Sequence, residues 1–153
     1  MAVSGLPTEQ FIYLGFLPRR KSERRRVFLS ILNELKTIIV FESPHRLIKS
    51  LHDARDILGD RHMAVCRELT KLHEEVFRGS FTEAIEHFSQ PRGEFTLVIE
   101  GSRITKSVDN NILKDELGRL KAQGISAKDA IKMVSGINTE SRKKLYNIWL
   151  NLK

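Results

Sequence analysis

The sequence predicts an α/β protein: a mixed sheet of about five strands flanked by helices, followed by a small all-α tail. Three observations predict it. Short apolar, β-branched runs alternate with segments of helical period up to Gly101. No run of strand character follows that glycine. Glycines, prolines and small polar residues punctuate the junctions between runs. A chain of 153 residues fits one domain, or one domain with an appendage, and is long enough to bury a core. The boundaries read as an α/β unit at 1–101 and a helical, helix-turn-helix-like unit at 110–153, joined by a polar linker over Ser102–Asn110.

Met1–Thr8 carries no periodic pattern. Phe11–Leu17 is rich in β-formers and stops at Pro18, so it reads as a strand. Arg19–Arg26 follows, with six basic residues in eight. Ser22 is placed to cap a helix reaching about Leu35, whose Val27, Ile31, Leu32 and Leu35 fall on one face. Thr37–Phe41 is a continuous apolar run, as in a strand buried on both faces. Ser43 and Pro44 then stand as N-cap and first residue of a helix with an apolar stripe from Leu47 to Leu58, ended by Gly59.

Met63–Arg67 is a third strand and His73–Gly79 a fourth, the latter flanked by charge and so nearer an edge. Ser80 caps a short helix over Phe81–Phe88, and Phe95–Ile99 is a fifth strand. Strands alternating with helices argue for a layered sandwich with a mostly parallel or mixed sheet. In the tail, Ile112–Ala122 reads as a helix, Ser126–Asp129 resembles a capping box, and Gly136–Thr139 a tight turn with Thr139 capping a last helix. A helix-turn-helix and a plain helical bundle both satisfy that pattern.

Composition excludes several classes. No apolar stretch approaches the length of a membrane span, and no secretory signal pattern is present, so the expectation is a cytoplasmic protein with no membrane partner. The single cysteine, Cys66, lies within an apolar strand and reads as a small buried hydrophobe, excluding a disulfide framework or a cysteine metal quartet. The five histidines lack metal-ligand spacing, so no metal is expected. No glycine-rich dinucleotide loop or P-loop occurs. The net charge of +7 and pI near 9.8 point to a polyanionic partner, nucleic acid first and acidic small molecules second.

Two junctions carry candidate chemistry. Val65–Val76 begins as the end of a buried strand and turns abruptly polar at Arg67, Glu68, Thr70, Lys71, His73, Glu74 and Glu75. Such an opening is how an open α/β sheet presents a ligand site, although a solvated turn between strands has the same pattern. Phe41–Arg46 is the second junction; helix capping alone accounts for Ser43 and Pro44, yet free backbone N–H groups and Arg46 would suit a carboxylate or phosphate. The basic run reads either as a solvated helix face or as a phosphate-binding surface.

Four segments, Gly15–Lys21, Phe41–Arg46, Arg67–Glu75 and Gly93–Gly101, together resemble the small-subunit ribosomal RNA (cytidine-2′-O)-methyltransferases of the tetrapyrrole methylase family, in order over about Leu6–Gly101. The tail resembles the helical segment that follows in that family. The resemblance implies S-adenosyl-L-methionine (SAM) as cofactor, ribosomal RNA of the small subunit as partner, and a homodimer. It also implies that an additional α/β domain with its own glycine-rich loops precedes these residues, so that Met1-Ala2 is an expression start at a domain junction and the fragment alone is inactive. It places Phe41, Glu42, Ser43, Arg67, Glu68, Leu69 and Glu100 at the cofactor. Glu68 and Glu74 are the candidates for binding ribose hydroxyls or assisting proton removal, with a fold-stabilising pairing as the alternative. Arg19, Arg20, Lys21, Arg24, Arg25, Arg46, Lys143 and Lys144 are expected to position phosphates. A tetrapyrrole methyltransferase and an RNA-binding module without catalysis are the competing expectations.

Overall fold

A computed structural model describes residues 1–103, 110–135 and 142–152, which fall into two compact units, Met1–Ile104 and Thr105–Lys153. The first is the α/β unit. Its strands are β1 (Phe11–Phe16), β2 (Thr37–Glu42), β3 (His62–Arg67), β4 (Glu75–Ser80) and β5 (Phe95–Ile99), in sheet order β1-β2-β5-β3-β4. The sheet is mixed. β1 runs parallel to β2, whereas β5 is antiparallel to both β2 and β3, and β3 and β4 form an antiparallel pair. One edge therefore gathers the ends of β1, β2 and β3 and the starts of β4 and β5. That edge holds the candidate site.

β2 fits the expectation of burial on both faces: Ile38 and Val40 are fully enclosed, and Ile39 on the opposite side is nearly so. The register aligns Ile39 with Val98 and Val98 with Ala64 across three strands. Met1 and Leu6 of the N-terminal segment pack over that cluster. Thr37 Oγ1 and the Arg78 guanidinium donate to the carbonyls of Pro7 and Val3, tying the segment down. Cys66 is buried in β3, and burial pushes its thiol above the ordinary value.

Helices α1 (Lys21–Ser30), α2 (Leu47–Leu58) and α3 (Phe81–His87) belong to this unit, α2 packing against both α1 and α3. Two boundaries differ from expectation. α1 starts one residue before Ser22, with Arg20 at the cap position, and it ends at Ser30. Beyond Ser30 the chain tightens into i→i+3 bonds at Ile31, Leu32 and Glu34, which turns Ile31 and Leu32 inward and leaves Leu35 71% exposed. Ser43 does not cap with its hydroxyl; a single 3₁₀ turn, Pro44–Arg46, intervenes before α2. Ser80 and Glu83 do form the reciprocal capping box at α3, as their spacing predicts.

Gly101 sits where β5 leaves the sheet, and a Cβ there would lie 2.1 Å from the Leu35 carbonyl oxygen, so only glycine fits. The buried Arg61 guanidinium bridges this region, donating to the carbonyls of Leu58, Glu100 and Leu32.

The second unit comprises α4 (Asn110–Ala122), α5 (Ala127–Ser135) and α6 (Arg142–Leu150), packed through Leu113, Leu117, Leu120, Ile131, Val134, Leu145 and Ile148. Ser126 accepts from the Asp129 N–H at 3.2 Å, as its capping position predicts. The Gly136–Thr139 turn, the Thr139 cap and most of the expected linker lie outside the described residues. No helix among the described residues is long and apolar enough to cross a membrane.

Candidate functional site

The site edge is built from two carboxylate clasps and an aromatic wall. In the first clasp, Glu42 ends β2 with its side chain fully buried. It accepts from the Ser43 N–H (2.7 Å) and the Ser50 hydroxyl of α2 (2.5 Å), and pairs with Arg46 Nη2 at 2.6 Å. Arg46 also donates from Nε to the Ser43 hydroxyl (2.9 Å) and from Nη1 to the Leu17 carbonyl (3.1 Å). A buried carboxylate is tolerated only when paired and hydrogen-bonded, and Glu42 is both. The clasp locks the loop after β1 onto the turn after β2.

The second clasp holds the loop between β3 and β4 against the start of β5. The Glu68 N–H donates to the Glu94 carbonyl (3.0 Å), and Glu68 Oε1 accepts from the Glu94 N–H (2.8 Å). Lys71 Nζ bridges Glu68 (3.3 Å) and Glu94 (2.9 Å). The Glu94 amide and then Lys71 hold the Glu68 carboxyl below its usual range, while the two carboxylates push Lys71 up. Glu68 and Thr70 both adopt left-handed backbone, φ +49° and +67°. For a β-branched threonine that is an uncommon conformation, and Glu74 Oε2 secures it by accepting from the Thr70 N–H at 2.6 Å. Gly93 (φ +84°) completes the fit, because a Cβ there would meet Glu68 Cγ at 2.6 Å.

Between the clasps lies a cleft of about 350 Å³ lined by Phe16, Phe41, Glu42, Ser43, Pro44, Glu94, Phe95 and Thr96. Phe41 meets Phe16 edge-on at 5.4 Å, and Tyr13 likewise at 5.3 Å. The cleft thus has apolar aromatic walls with the Ser43 hydroxyl and the exposed Glu94 carboxylate at its rim, a composition that suits a small organic ligand with a flat ring.

The structure brings Phe41, Glu42, Ser43, Arg67, Glu68 and Leu69 to this edge, as their places after β2 and β3 require. Glu100 lies apart from them. Because β5 is antiparallel to its neighbours, Glu100 follows the opposite end of the strand, about 17 Å from Phe95 at strand rise, and pairs with Arg103 at 2.7 Å. Glu94, Phe95 and Thr96 occupy the place assigned to it. Sequence reasoning missed them and Phe16; the β3–β4 hairpin was the signal that could have found the first three. The Arg67 Nε lies 3.1 Å from Glu75 without a hydrogen-bonding angle, and Glu75 also contacts His87 at 2.6 Å. His45 and His73 are exposed and do not line the cleft. Among the described residues no group of three acidic, histidine or cysteine side chains could hold a metal.

Of the expected phosphate contacts, Arg19, Arg20 and Lys21 are exposed, Arg46 is partly so, and in the helical unit Lys143 is exposed and Lys144 half-buried. Arg24 and Arg25, by contrast, are both buried, at 4% and 7% exposure. Arg24 donates twice to Asp53 Oδ2 (2.9 and 2.6 Å), and Arg25 lies between Asp53 (3.6 Å) and Asp56 (3.7 Å). Their charges neutralise α2 rather than face solvent.

These features define a class: an α/β unit presenting an aromatic cleft at the carboxyl ends of its strands, in a basic chain that also carries a small helical unit. Comparison of the sequence with curated proteins makes the relationship specific. The chain is 39% identical over 97% of its length to the ribosomal RNA small subunit methyltransferase I of Halalkalibacterium halodurans. It is 39% identical over 98% of its length to the protein of that name from Synechocystis, and 50% identical over 66% to that from Thermotoga maritima. The chain is related by sequence to these small-subunit ribosomal RNA methyltransferases. It spans about half the length of those relatives, 54%, 56% and 46% respectively. No protein-family model matches it.

Proposed function

We propose that the chain is part of a cytoplasmic, SAM-dependent methyltransferase that modifies the 2′-hydroxyl of a cytidine in small-subunit ribosomal RNA, and that it supplies one wall of the cofactor cleft. The observation that carries this reading is the near-complete alignment of the chain with proteins of that name, with the aligned edge forming a cleft. The cleft's residues fit the cofactor: Phe16, Phe41 and Phe95 offer apolar faces for an adenine, while Ser43 and Glu94 offer polar groups at the rim. When bound, the cofactor supplies an electrophilic sulfonium methyl. The chain's own contribution is alignment, with the two clasps fixing the loops that flank the cleft.

Glu68 and Glu74 are proposed as bracing groups, since the first is held by Glu94 and Lys71 and the second by the Thr70 amide. The exposed aromatics of β1, Phe11, Tyr13 and Phe16, support association into a homodimer.

The test replaces the aligned residues of the Halalkalibacterium halodurans relative with this chain and follows labelled methyl transfer to small ribosomal subunits lacking the modification. Label on a cytidine 2′-oxygen is expected. Label on a base, or none from a folded chimera that binds SAM, overturns the proposal.

A further inference from the structure

Beside the cleft lies a groove of about 500 Å³ between α1 and α2, lined by five cationic side chains, Arg19, Lys21, Arg24, Arg46 and Lys49, against the carboxylates Asp53 and Asp56, with His52. We infer that this groove is a binding site for the sugar–phosphate backbone of RNA, seating the strand beside the cleft; the inference rests on the RNA reading above and gives it a location.

The groove is a built structure rather than a charged surface. Its floor is Arg24, enclosed and held by two hydrogen bonds to Asp53, with Nη1 reaching the Arg19 carbonyl at 3.3 Å. One wall is Arg46, fixed by Glu42, Ser43 and the Leu17 carbonyl. Asp53 is 3% exposed and shares its single charge among Arg24, Arg25 and Lys21, the last at 3.8 Å. Asp56, the other carboxylate of the groove, contacts Arg25 at 3.7 Å, and Arg19 and Lys49 make no ion pair among the described residues. Arg24 and Arg46 are paired within the fold, and the surplus of cations over carboxylates in the lining, carried by the rim, leaves a positive potential.

The chemistry of the lining selects the ligand. His52 is the one aromatic ring in the lining and the other side chains are charged, so the groove favours phosphate contacts over base-specific ones. Its polar groups suit phosphates, with Arg19, Lys21 and Lys49 reaching outward as point and fork donors. The Arg46–Glu42 pair is the common wall of the groove and the cleft, since Arg46 lines one and Glu42 the other. A strand held in the groove therefore has its neighbouring nucleotide at the mouth of the cleft.

The test measures binding of a fluorescein-labelled RNA hairpin to the whole chain as salt is raised. Arg19→Gln/Lys49→Gln is compared with Lys36→Gln/Lys128→Gln, an equal charge change at exposed positions outside the groove. The groove variant is expected to bind about ten-fold more weakly, and its log–log salt slope to fall by roughly 1.4 to 1.8, the signature of two phosphates no longer neutralised. The control variant should track wild type. Salt-dependent RNA binding by wild type with the groove variant matching it overturns the groove and leaves the RNA reading standing. Absence of RNA binding by wild type overturns both. Inorganic pyrophosphate shifting the Arg19 and Lys49 side-chain NMR signals while RNA does not would make the ligand a free polyphosphate and overturn the assignment to RNA.

Discussion

Asp53 is the carboxylate on which the α1–α2 interface depends. Its side chain is 4% exposed, and it faces Arg24 and Arg25, themselves 5% and 8% exposed. Replacing it with alanine leaves one guanidinium with no counter-ion and the other with only Asp56, 3.7 Å away and half-exposed. Breaking a buried ion pair from one side costs about 3–5 kcal/mol, because the remaining charge stays desolvated. Asn keeps an acceptor oxygen for Arg24 but not the charge, so Asp53→Asn should fall near the lower value. A denaturant slope of about 2 kcal/mol/M, the middle of the usual urea range, turns about 3–5 kcal/mol into a loss in urea midpoint of roughly 1.5–2.5 M. Far-UV circular dichroism is the assay. The double change Arg24→Leu/Asp53→Leu removes charge from both sides and should cost less than Asp53→Ala alone. A midpoint within about 0.3 M of wild type for Asp53→Ala, below roughly 1 kcal/mol, would show that water reaches the pair and refute the reasoning.

Three other predictions follow from the site. Phe41→Ala in the chimera should weaken SAM binding by roughly ten- to a hundred-fold, the worth of one aromatic stacking face, whereas Phe41→Leu should lose less; isothermal titration reads both. The Glu94 amide proton should titrate with Glu68, at a midpoint below the ordinary glutamate value of about 4.3. The sign follows from that depressed value: the clasp is complete above the ordinary value and is lost as pH falls through Glu68's own. An NMR midpoint at or above about 4.3 would mean that the Glu94 amide does not hold the carboxylate. Cys66, buried and pushed up, should react with a thiol reagent only as fast as the unit opens, and at the full rate in urea.

What was legible in the sequence is what depends on neighbours along the chain. The Ser80–Glu83 box spans three residues and was foreseen; so were the five strands and their order. Strand direction was not, although one element contained it. β3 and β4 are joined by a hairpin without a helix, so the chain reverses there; the α3 crossover then leaves β5 running with β4 and against β3 and β2. That reversal moves Glu100 to the far end of the sheet and brings Glu94 and Phe95 to the cleft. The burial of Arg24 and Arg25 was illegible for a different reason. Helical periodicity assigns charged residues to solvent, and their partner Asp53 is 29 residues beyond Arg24 on another helix. Only the packed structure joins them. The aromatic wall escaped notice because Phe16 follows a register shift in β1, which turns it towards Phe41.

The clasps explain why carboxylates cluster where no free base is evident. Glu42, Glu68 and Glu74 each accept from a backbone N–H of the turn or loop they stand in or beside. For Glu68 the consequence is a carboxyl held below its usual range and so a poor proton acceptor, because protonation would forfeit the charge-assisted bond from the Glu94 amide. The same bonds fix two loops that would otherwise be free to move, including two residues in left-handed backbone that a loose loop would not keep. If the cleft serves methyl transfer, the carboxylates contribute through geometry, holding Phe41, Phe95 and the strand ends in one arrangement. Glu68→Gln then becomes informative. It preserves an acceptor for the Glu94 amide while removing the charge that Lys71 bridges, so in the chimera a bracing role predicts a raised KM for SAM with kcat nearly unchanged. A general base at this position would instead lose kcat by about a hundred-fold or more, and a pH–rate profile would lose its acidic limb.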